Sequence, residues 1–153
     1  MDKQHQIVII GGGTAGIMTA TQLLKKNASL DIAIIDPAET HYYQPAWTLV
    51  GAGAYDYKNT ARSMASLIPK SVTWVKDFVT SFQADEHTID TENSGKIGYE
   101  FLVVAPGLVM DPSLIEGLTE AMEKGIVCSN YTNPEHTWET IKNFKGGNAL
   151  FTQ

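Results

Sequence analysis

The sequence predicts an α/β fold, with a parallel sheet built on a βαβ unit and a small antiparallel β element inserted into it. The apolar run Ile7 to Ile10 leads directly into glycines, as a parallel strand that is buried on both faces does. Helical periodicity follows, and a second apolar run, "DIAIIDP", begins at Asp31. A strand, a helix and a strand within about 30 residues form a right-handed βαβ unit in nearly every known case. The two strands should therefore be neighbours in a parallel sheet.

The first three elements are predicted from apolar periodicity and from residues that end helices and strands. In order they are a strand over Gln6 to Ile10, a helix over Thr14 to Lys26 and a strand over Asp31 to Pro37. The helix carries a core-facing stripe at helical spacing, consisting of Ile17, Ala20, Leu23 and Leu24. Asn27 is a plausible stop for the helix, and Pro37 ends the second strand.

The rest of the chain is predicted to hold further strands and two helices. They are a short helix over Thr60 to Ile68, strands over Val72 to Phe82, His87 to Thr91 and Tyr99 to Ala105, a helix over Pro134 to Phe144, and a strand that begins in "NALFTQ". Turn residues lie at Ala84 to Glu86 and at Asn93 to Gly95. We expect residues 1–153 to form one domain.

The composition excludes several classes of protein. With 153 residues, 43% hydrophobic residues and a formal charge of -6, the chain is typical of a globular domain and not of a nucleic-acid-binding protein. No apolar run approaches the roughly 20 residues of a membrane span. The single cysteine, Cys128, excludes an internal disulfide and is typical of a reducing compartment. We therefore expect a cytoplasmic location, or a membrane face that is reached through parts outside this sequence.

The segment Gly11 to Gly16, "GGGTAG", matches GxGxxG between a buried strand and a helix, which is the context that the dinucleotide-binding motif requires. Gly11 permits the tight turn, Gly13 lets backbone N–H groups approach a pyrophosphate, and Gly16 lets the helix pack on the strand. The helix N-terminus then faces the anion. A glycine-rich turn without a ligand is the alternative interpretation.

Asp36 follows about 20 residues after the glycine loop, where a carboxylate accepts hydrogen bonds from an adenosine ribose. A phosphorylated ribose would favour a nearby arginine, and none occurs between Met1 and Ala61. NADP is therefore disfavoured. The spacing alone leaves NAD and FAD open, because both use this fold and loop.

Longer stretches resemble a known family. The glycine loop, the inserted strands and the return strand "YEFLVVAPG" resemble two-dinucleotide-binding-domain flavoproteins, which have a Rossmann-like FAD-binding sheet. Three stretches closely resemble sulfide:quinone oxidoreductases of the mitochondrial-like type: "HYYQPAWTLVGAG", "SLIPKSVTWVKDFVTSF" and "SNYTNPEHTWETIKNFKGGNALFT". The resemblance runs from about Ile7 to Thr152 and covers the first portion of an enzyme well over twice as long. It implies that residues 1–153 form a partial FAD/NAD(P)-binding domain, the N-terminal portion of a longer flavoprotein.

The resemblance implies FAD as the cofactor and assigns residues to it. Those expected at the pyrophosphate are Gly11, Gly13, Thr14, Ala15 and Gly16. The others are Asp36 at the ribose, Gln44 and Pro45 near the flavin, Val79 at the adenine through its backbone, and Ala105 and Gly107 close to the cofactor. Asp36 stands where the family usually has Glu, and Pro106 replaces the usual Thr, which removes a hydroxyl and a backbone donor.

The resemblance also implies an activity, the oxidation of sulfide to sulfane sulfur with electrons passing through FAD to a membrane quinone. That chemistry needs a pair of cysteines, whereas this chain has only Cys128, which is interpreted as a small buried residue or as an accessory thiol. The catalytic cysteines are expected after residue 153, so the chain alone is expected to be inactive. No metal site is proposed.

Sulfide and quinone are the expected partners, and peripheral membrane association is expected only through a missing C-terminal part. Apolar faces left uncovered predict self-association into a homo-oligomer. Two alternatives stay open for the activity. One is another quinone-linked flavoprotein, such as a type II NADH dehydrogenase, and the other is a nucleotide-binding module without turnover.

Overall fold

The computed structural model describes residues 3–152. Within this range the chain divides into two compact units, and each is described by itself. The first unit comprises residues 3–41 and 62–108, and the second comprises residues 42–61 and 109–152.

The helices and strands alternate through most of the chain. In chain order they are β1 (Lys3–Ile10), α1 (Thr14–Lys26), β2 (Ile32–Ile35), β3 (Thr40–Tyr42), α2 (Trp47–Gly51), β4 (Ala61–Ser63), α3 (Met64–Leu67), β5 (Thr73–Val75), β6 (Val79–Gln83), β7 (Thr88–Thr91), β8 (Gly95–Val104), α4 (Leu118–Glu123) and α5 (Pro134–Asn143). Strands β3 and β4 form a separate two-stranded sheet. Among the described residues, no helix combines the length and the apolar character that crossing a membrane requires.

The main sheet has six strands in the order β5-β2-β1-β8-β7-β6. Strands β5, β2, β1 and β8 run parallel to their neighbours, whereas β6 and β7 continue the sheet beyond β8 in antiparallel fashion. Ile9 lies between Ile34 and Val103 in the parallel part, and Phe82 pairs with Ile89 in the antiparallel part. The predicted fold class is confirmed.

The single strand predicted over Val72 to Phe82 is wrong, because the chain changes its place in the sheet at Asp77. Strand β5 pairs with β2, and β6 pairs with β7 at the opposite edge. The buried Asp77 carboxylate accepts hydrogen bonds from the N–H groups of Phe78, Asn93 and Ser94 at 2.8, 3.0 and 2.6 Å. Burial alone would raise the pKa of Asp77, but the bonds from Ser94, Asn93 and Phe78 hold this pKa well below its usual range. Asp77 therefore ties the start of β6 to the turn before β8.

The core of the first unit covers both faces of the sheet. On one face, Ile9, Ile34 and Met64 pack with α1, whose predicted apolar stripe lies against them. On the other face, Val8, Ile35, Ile89 and Ile97 form a second buried cluster with neighbouring apolar residues. Burial on both faces explains why the second half of β1, Ile7 to Ile10, and all of β2 consist of apolar residues without alternation.

Several predicted boundaries differ from the structure. Helix α1 matches its prediction, but the helix predicted over Thr60 to Ile68 is reduced to α3, and residues 57–60 form a 3₁₀ turn that β4 follows. Strand β8 begins at Gly95 instead of Tyr99, since β7 pairs with its first residues. The strand predicted in the final six residues is wrong for 148–152, which have no regular structure, and Gln153 lies outside the described residues.

In the second unit, α2 and α5 pack closely. A Cβ atom at Gly51 would collide with the Asn130 side chain, and one at Gly53 would collide with the Trp138 ring. The Tyr42 and Tyr57 rings stack with their centroids 5.4 Å apart. A cavity of about 400 Å³ lies beside these elements. Its walls consist of Val50, Gly53, Ala54, Tyr55, Asp56, Tyr57, Glu135, Trp138 and Glu139.

Candidate functional site

The glycine loop connects β1 to α1 and lies where three parallel strands end. The Gly11 N–H donates to the Ile35 carbonyl at the end of β2, at 2.9 Å. The Ala105 N–H donates to the Ile10 carbonyl at 2.8 Å, just beyond β8. The loop is therefore fixed to both neighbouring strands at the carboxyl edge of the sheet, where open α/β sheets bind their ligands.

Two positions of the loop require glycine for steric reasons. Gly11 has φ +100°, and a Cβ atom there would overlap the carbonyl group of Ala105. A Cβ atom at Gly16 would overlap the Gly11 carbonyl oxygen. The turn and the first turn of α1 are thus packed backbone against backbone, as the motif predicts for a loop that receives a diphosphate.

The first turn of α1 presents backbone N–H groups. Gly13 is the N-cap residue and, as a glycine, has no side chain that could cap the helix. The first hydrogen bond of the helix joins the Ile17 N–H to the Gly13 carbonyl at 3.0 Å. The N–H groups of Thr14, Ala15 and Gly16 precede that bond and have no partner within the helix. Thr14 and Ala15 are exposed, and the first turn contains no acidic residue. This end of the helix therefore suits an anion.

Asp36 lies directly after β2 and faces the glycine loop. Its Oδ2 accepts a hydrogen bond from the Gly12 N–H at 2.6 Å, and its Oδ1 accepts one from the Ala38 N–H at 2.7 Å. The indole N–H of Trp74 donates to the Asp36 carbonyl at 2.9 Å. The predicted loop and the predicted carboxylate are therefore brought together, and the arrangement fits a dinucleotide with its diphosphate at the helix and a ribose at Asp36.

Three further residues of the first unit are predicted to contact the cofactor, and they lie in different parts of the fold. Val79 begins β6, and its half-buried side chain packs against the second core cluster. The Ala105 carbonyl is the group that Gly11 approaches. Gly107 has φ +80° and is exposed, with open space where a Cβ atom would lie. The cofactor contacts of these three residues stay predictions.

Gln44 and Pro45 belong to the second unit, where both are exposed and open the 3₁₀ turn Gln44–Ala46, whose last residue is buried. Their contact with the flavin stays a prediction. Cys128 is a partly buried free thiol. Within residues 3–152, no group of three or more His, Cys, Asp and Glu side chains is arranged to hold a metal ion.

Sequence reasoning did not identify Gly12 and Trp74 as parts of the site. Gly12 occupies a variable position of GxGxxG, and the only signal for it is that three glycines occur in succession. Trp74 reaches Asp36 because β5 pairs with β2, with Trp74 opposite Ile34. The sequence carries no local sign of that pairing.

Comparison with known proteins places the chain among flavin-linked oxidoreductases. Residues 5–143 match the family model "Pyridine nucleotide-disulphide oxidoreductase". The chain is 44% identical to the mitochondrial sulfide:quinone oxidoreductase of Dictyostelium discoideum over 96% of its length, and 40% identical to that of Mus musculus over 98%. It spans 33% and 34% of those two relatives.

The fold is also similar to a solved structure of a related protein. The X-ray structure of the sulfide:quinone oxidoreductase from Aquifex aeolicus matches 92% of this chain with a TM-score of 0.73 and 30% identity. The matched part is 31% of that protein. The resemblance to sulfide:quinone oxidoreductases is confirmed, and this chain corresponds to about a third of the length of the relatives it matches.

Proposed function

The chain belongs to the pyridine nucleotide-disulphide oxidoreductase family, and we propose that it is the FAD-binding N-terminal part of a sulfide:quinone oxidoreductase. The observation that carries this proposal is the junction of the glycine loop, the first turn of α1 and the Asp36 carboxylate at one edge of a parallel sheet. The similarity to mitochondrial sulfide:quinone oxidoreductases over nearly the whole chain supports the choice within the family.

FAD is the cofactor of this family. We propose that Gly11, Gly13, Thr14, Ala15 and Gly16 hold its pyrophosphate and that Asp36 holds its adenosine ribose. The N–H groups of the first helical turn complement the negative charge, and the exposed start of α1 leaves them accessible. Val79, Ala105 and Gly107 are the further proposed contacts in this unit, and Gln44 and Pro45 are those proposed in the second unit.

When bound, FAD supplies two-electron redox chemistry between a reduced sulfur donor and a quinone. The contribution of this chain is to bind the cofactor and to orient it. Cys128 is its single thiol, and a redox-active disulfide within the protein requires two cysteines. We therefore propose that sulfide oxidation requires cysteines outside these 153 residues. Membrane contact and a mitochondrial or cytoplasmic-membrane location belong to the same proposal.

Cofactor identity tests this proposal on the chain itself. The purified protein is denatured, and the supernatant is examined by absorption near 450 nm and by mass spectrometry. If the cofactor is lost during purification, titration of the chain with FAD, NAD and NADP compares their affinities. We expect FAD to be recovered or to bind most tightly. Recovery of NAD, or a failure to bind FAD at all, would contradict the proposal.

Identifying the electron donor requires a longer polypeptide that contains this chain and has the length of its relatives. We expect anaerobic sulfide to bleach its flavin and a soluble quinone to restore the colour. Bleaching by NADH without a response to sulfide would instead indicate a type II NADH dehydrogenase. If neither donor acted on a fully loaded protein, a nucleotide-binding module without turnover would be the better description.

A further inference from the structure

Asp36 makes hydrogen bonds through both its backbone and its carboxylate at the edge of the proposed nucleotide site. Its backbone N–H donates to the Val75 carbonyl at 3.0 Å, and its carbonyl accepts from the Trp74 indole. These bonds to β5 fix the backbone of Asp36. Its carboxylate then reaches across to the Gly12 N–H at 2.6 Å.

Gly12 has little room for a side chain. A Cβ atom there would lie 3.1 Å from Cβ of Asp36 and 3.2 Å from both Sδ and Cε of Met64. These separations are shorter than ordinary van der Waals contacts. The GxGxxG motif leaves this position variable, so binding of a dinucleotide does not by itself explain the glycine. The close approach of Asp36 does.

We propose that Asp36 is a positioning residue for the glycine loop, and this inference rests on the proposed function. Its carboxylate holds the Gly12 N–H and thereby fixes the loop in the shape that receives the diphosphate, before a cofactor binds. The glycine at position 12 is the complement that allows the short aspartate side chain to come this close. Asp36 therefore orients the loop in addition to meeting the ribose.

One carboxylate has enough hydrogen-bond acceptor positions both to hold the Gly12 N–H and to bind the ribose. An ionised carboxyl group offers about four acceptor positions, and the N–H groups of Gly12 and Ala38 occupy one on each oxygen. The remaining positions can accept from the hydroxyls of a sugar. A loop that is already ordered loses less conformational entropy when the ligand binds, so such positioning raises affinity.

Hydrogen exchange of the cofactor-free chain tests the positioning role directly. Asp36→Ala removes the acceptor, and we expect the Gly12 amide to exchange about 10-fold faster or more, as the loss of a charge-assisted hydrogen bond predicts. The amides of Ile9 and Ile34 in the core should keep their rates. The matched control is Asp111→Asn, which alters a carboxylate that accepts from the Ser113 N–H at 3.0 Å. An unchanged Gly12 rate would overturn the proposal, as would equal acceleration of all amides.

FAD affinity measured in a double-mutant cycle tests the link between Gly12 and Asp36. We expect Gly12→Ala alone to weaken FAD binding about 10-fold, the size typical of coupled neighbours. Its effect should be smaller in the Asp36→Ala background, where the added methyl group has room. Equal effects in both backgrounds would contradict the coupling. If the unaltered chain does not bind FAD, the proposed function fails, whereas the exchange experiment still decides the positioning role.

Discussion

Gly16→Ala distinguishes local helix propensity from close packing, because the two predict opposite signs. Alanine is favoured over glycine inside a helix by about 1 kcal/mol. The added Cβ atom, however, would overlap the Gly11 carbonyl oxygen and lie 3.2 Å from Cγ2 of Ile9. Overpacking costs about 1–3 kcal/mol, and the upper end applies because the main collision is with backbone. We therefore expect a net loss of about 2 kcal/mol in the free energy of unfolding.

Thermal and urea unfolding of the cofactor-free chain measure this loss. A loss of about 2 kcal/mol lowers Tm by about 4–8 °C in a chain of this size. Gly13→Ala is the matched comparison, because a Cβ atom at Gly13 would have no neighbour within 4 Å. We expect it to change stability by about 1 kcal/mol or less. It should still weaken FAD binding, because Gly13 is the proposed site of close approach to the pyrophosphate.

A Gly16→Ala variant as stable as the unaltered chain, or more stable, would contradict the close packing of α1 on the glycine loop. Helix propensity would then outweigh the contact, and the loop would not be packed as tightly against α1 as the structure indicates. A Gly13→Ala variant that binds FAD normally would refute the proposed contact at that position only.

Three further substitutions test other parts of the fold. Asp77→Asn should destabilise the chain in urea at neutral pH, and the difference from the unaltered chain should close in acid. The reason is that the pKa of Asp77 in the folded chain lies below its ordinary value of 3.8. The ionised carboxylate therefore stabilises the fold fully above about pH 4, and this stabilisation declines as the pH falls further. A stability difference that stayed constant down to strong acid would contradict this explanation. Gly53→Ala, at φ +70° against the Trp138 ring, should lower Tm more than Gly117→Ala, at φ +77° with no neighbour within 4 Å; equal losses would show that only backbone strain matters. Ile34→Ala, at a fully buried position, should reduce the free energy of unfolding by about 2–5 kcal/mol in urea titrations, and a loss under 1 kcal/mol would contradict the core assignment.

The parts of the fold that local patterns determine could be predicted from the sequence. Helix α1 begins after Gly13 and ends before Asn27, as its glycines and apolar stripe indicate. The second half of β1, Ile7 to Ile10, and all of β2 are buried on both faces, as their unbroken apolar runs indicate. The glycine loop and Asp36 could be predicted because their spacing follows from the βαβ unit itself.

The parts that depend on distant pairing could not be predicted. The break between β5 and β6 is set by the buried Asp77 and its bonds to Asn93 and Ser94, far along the chain. Residues 148–152 are apolar enough for a strand, but a strand also needs a hydrogen-bonding neighbour, which local sequence does not reveal. The partners of Asp36 were missed for the same reason, since Gly12 and Trp74 reach it only after the sheet has formed.

Strand β8 takes part in two ladders, pairing with β1 up to the residue before Ala105 and with β7 over its first four positions. Bonds on both edges of β8 restrict its backbone, so loss of one ladder removes support from the other. The hairpin of β6 and β7 and the nucleotide loop should consequently open as one cooperative unit. Binding at the loop would then slow proteolysis at the turn of the hairpin, residues 84–86, which includes none of the proposed cofactor contacts.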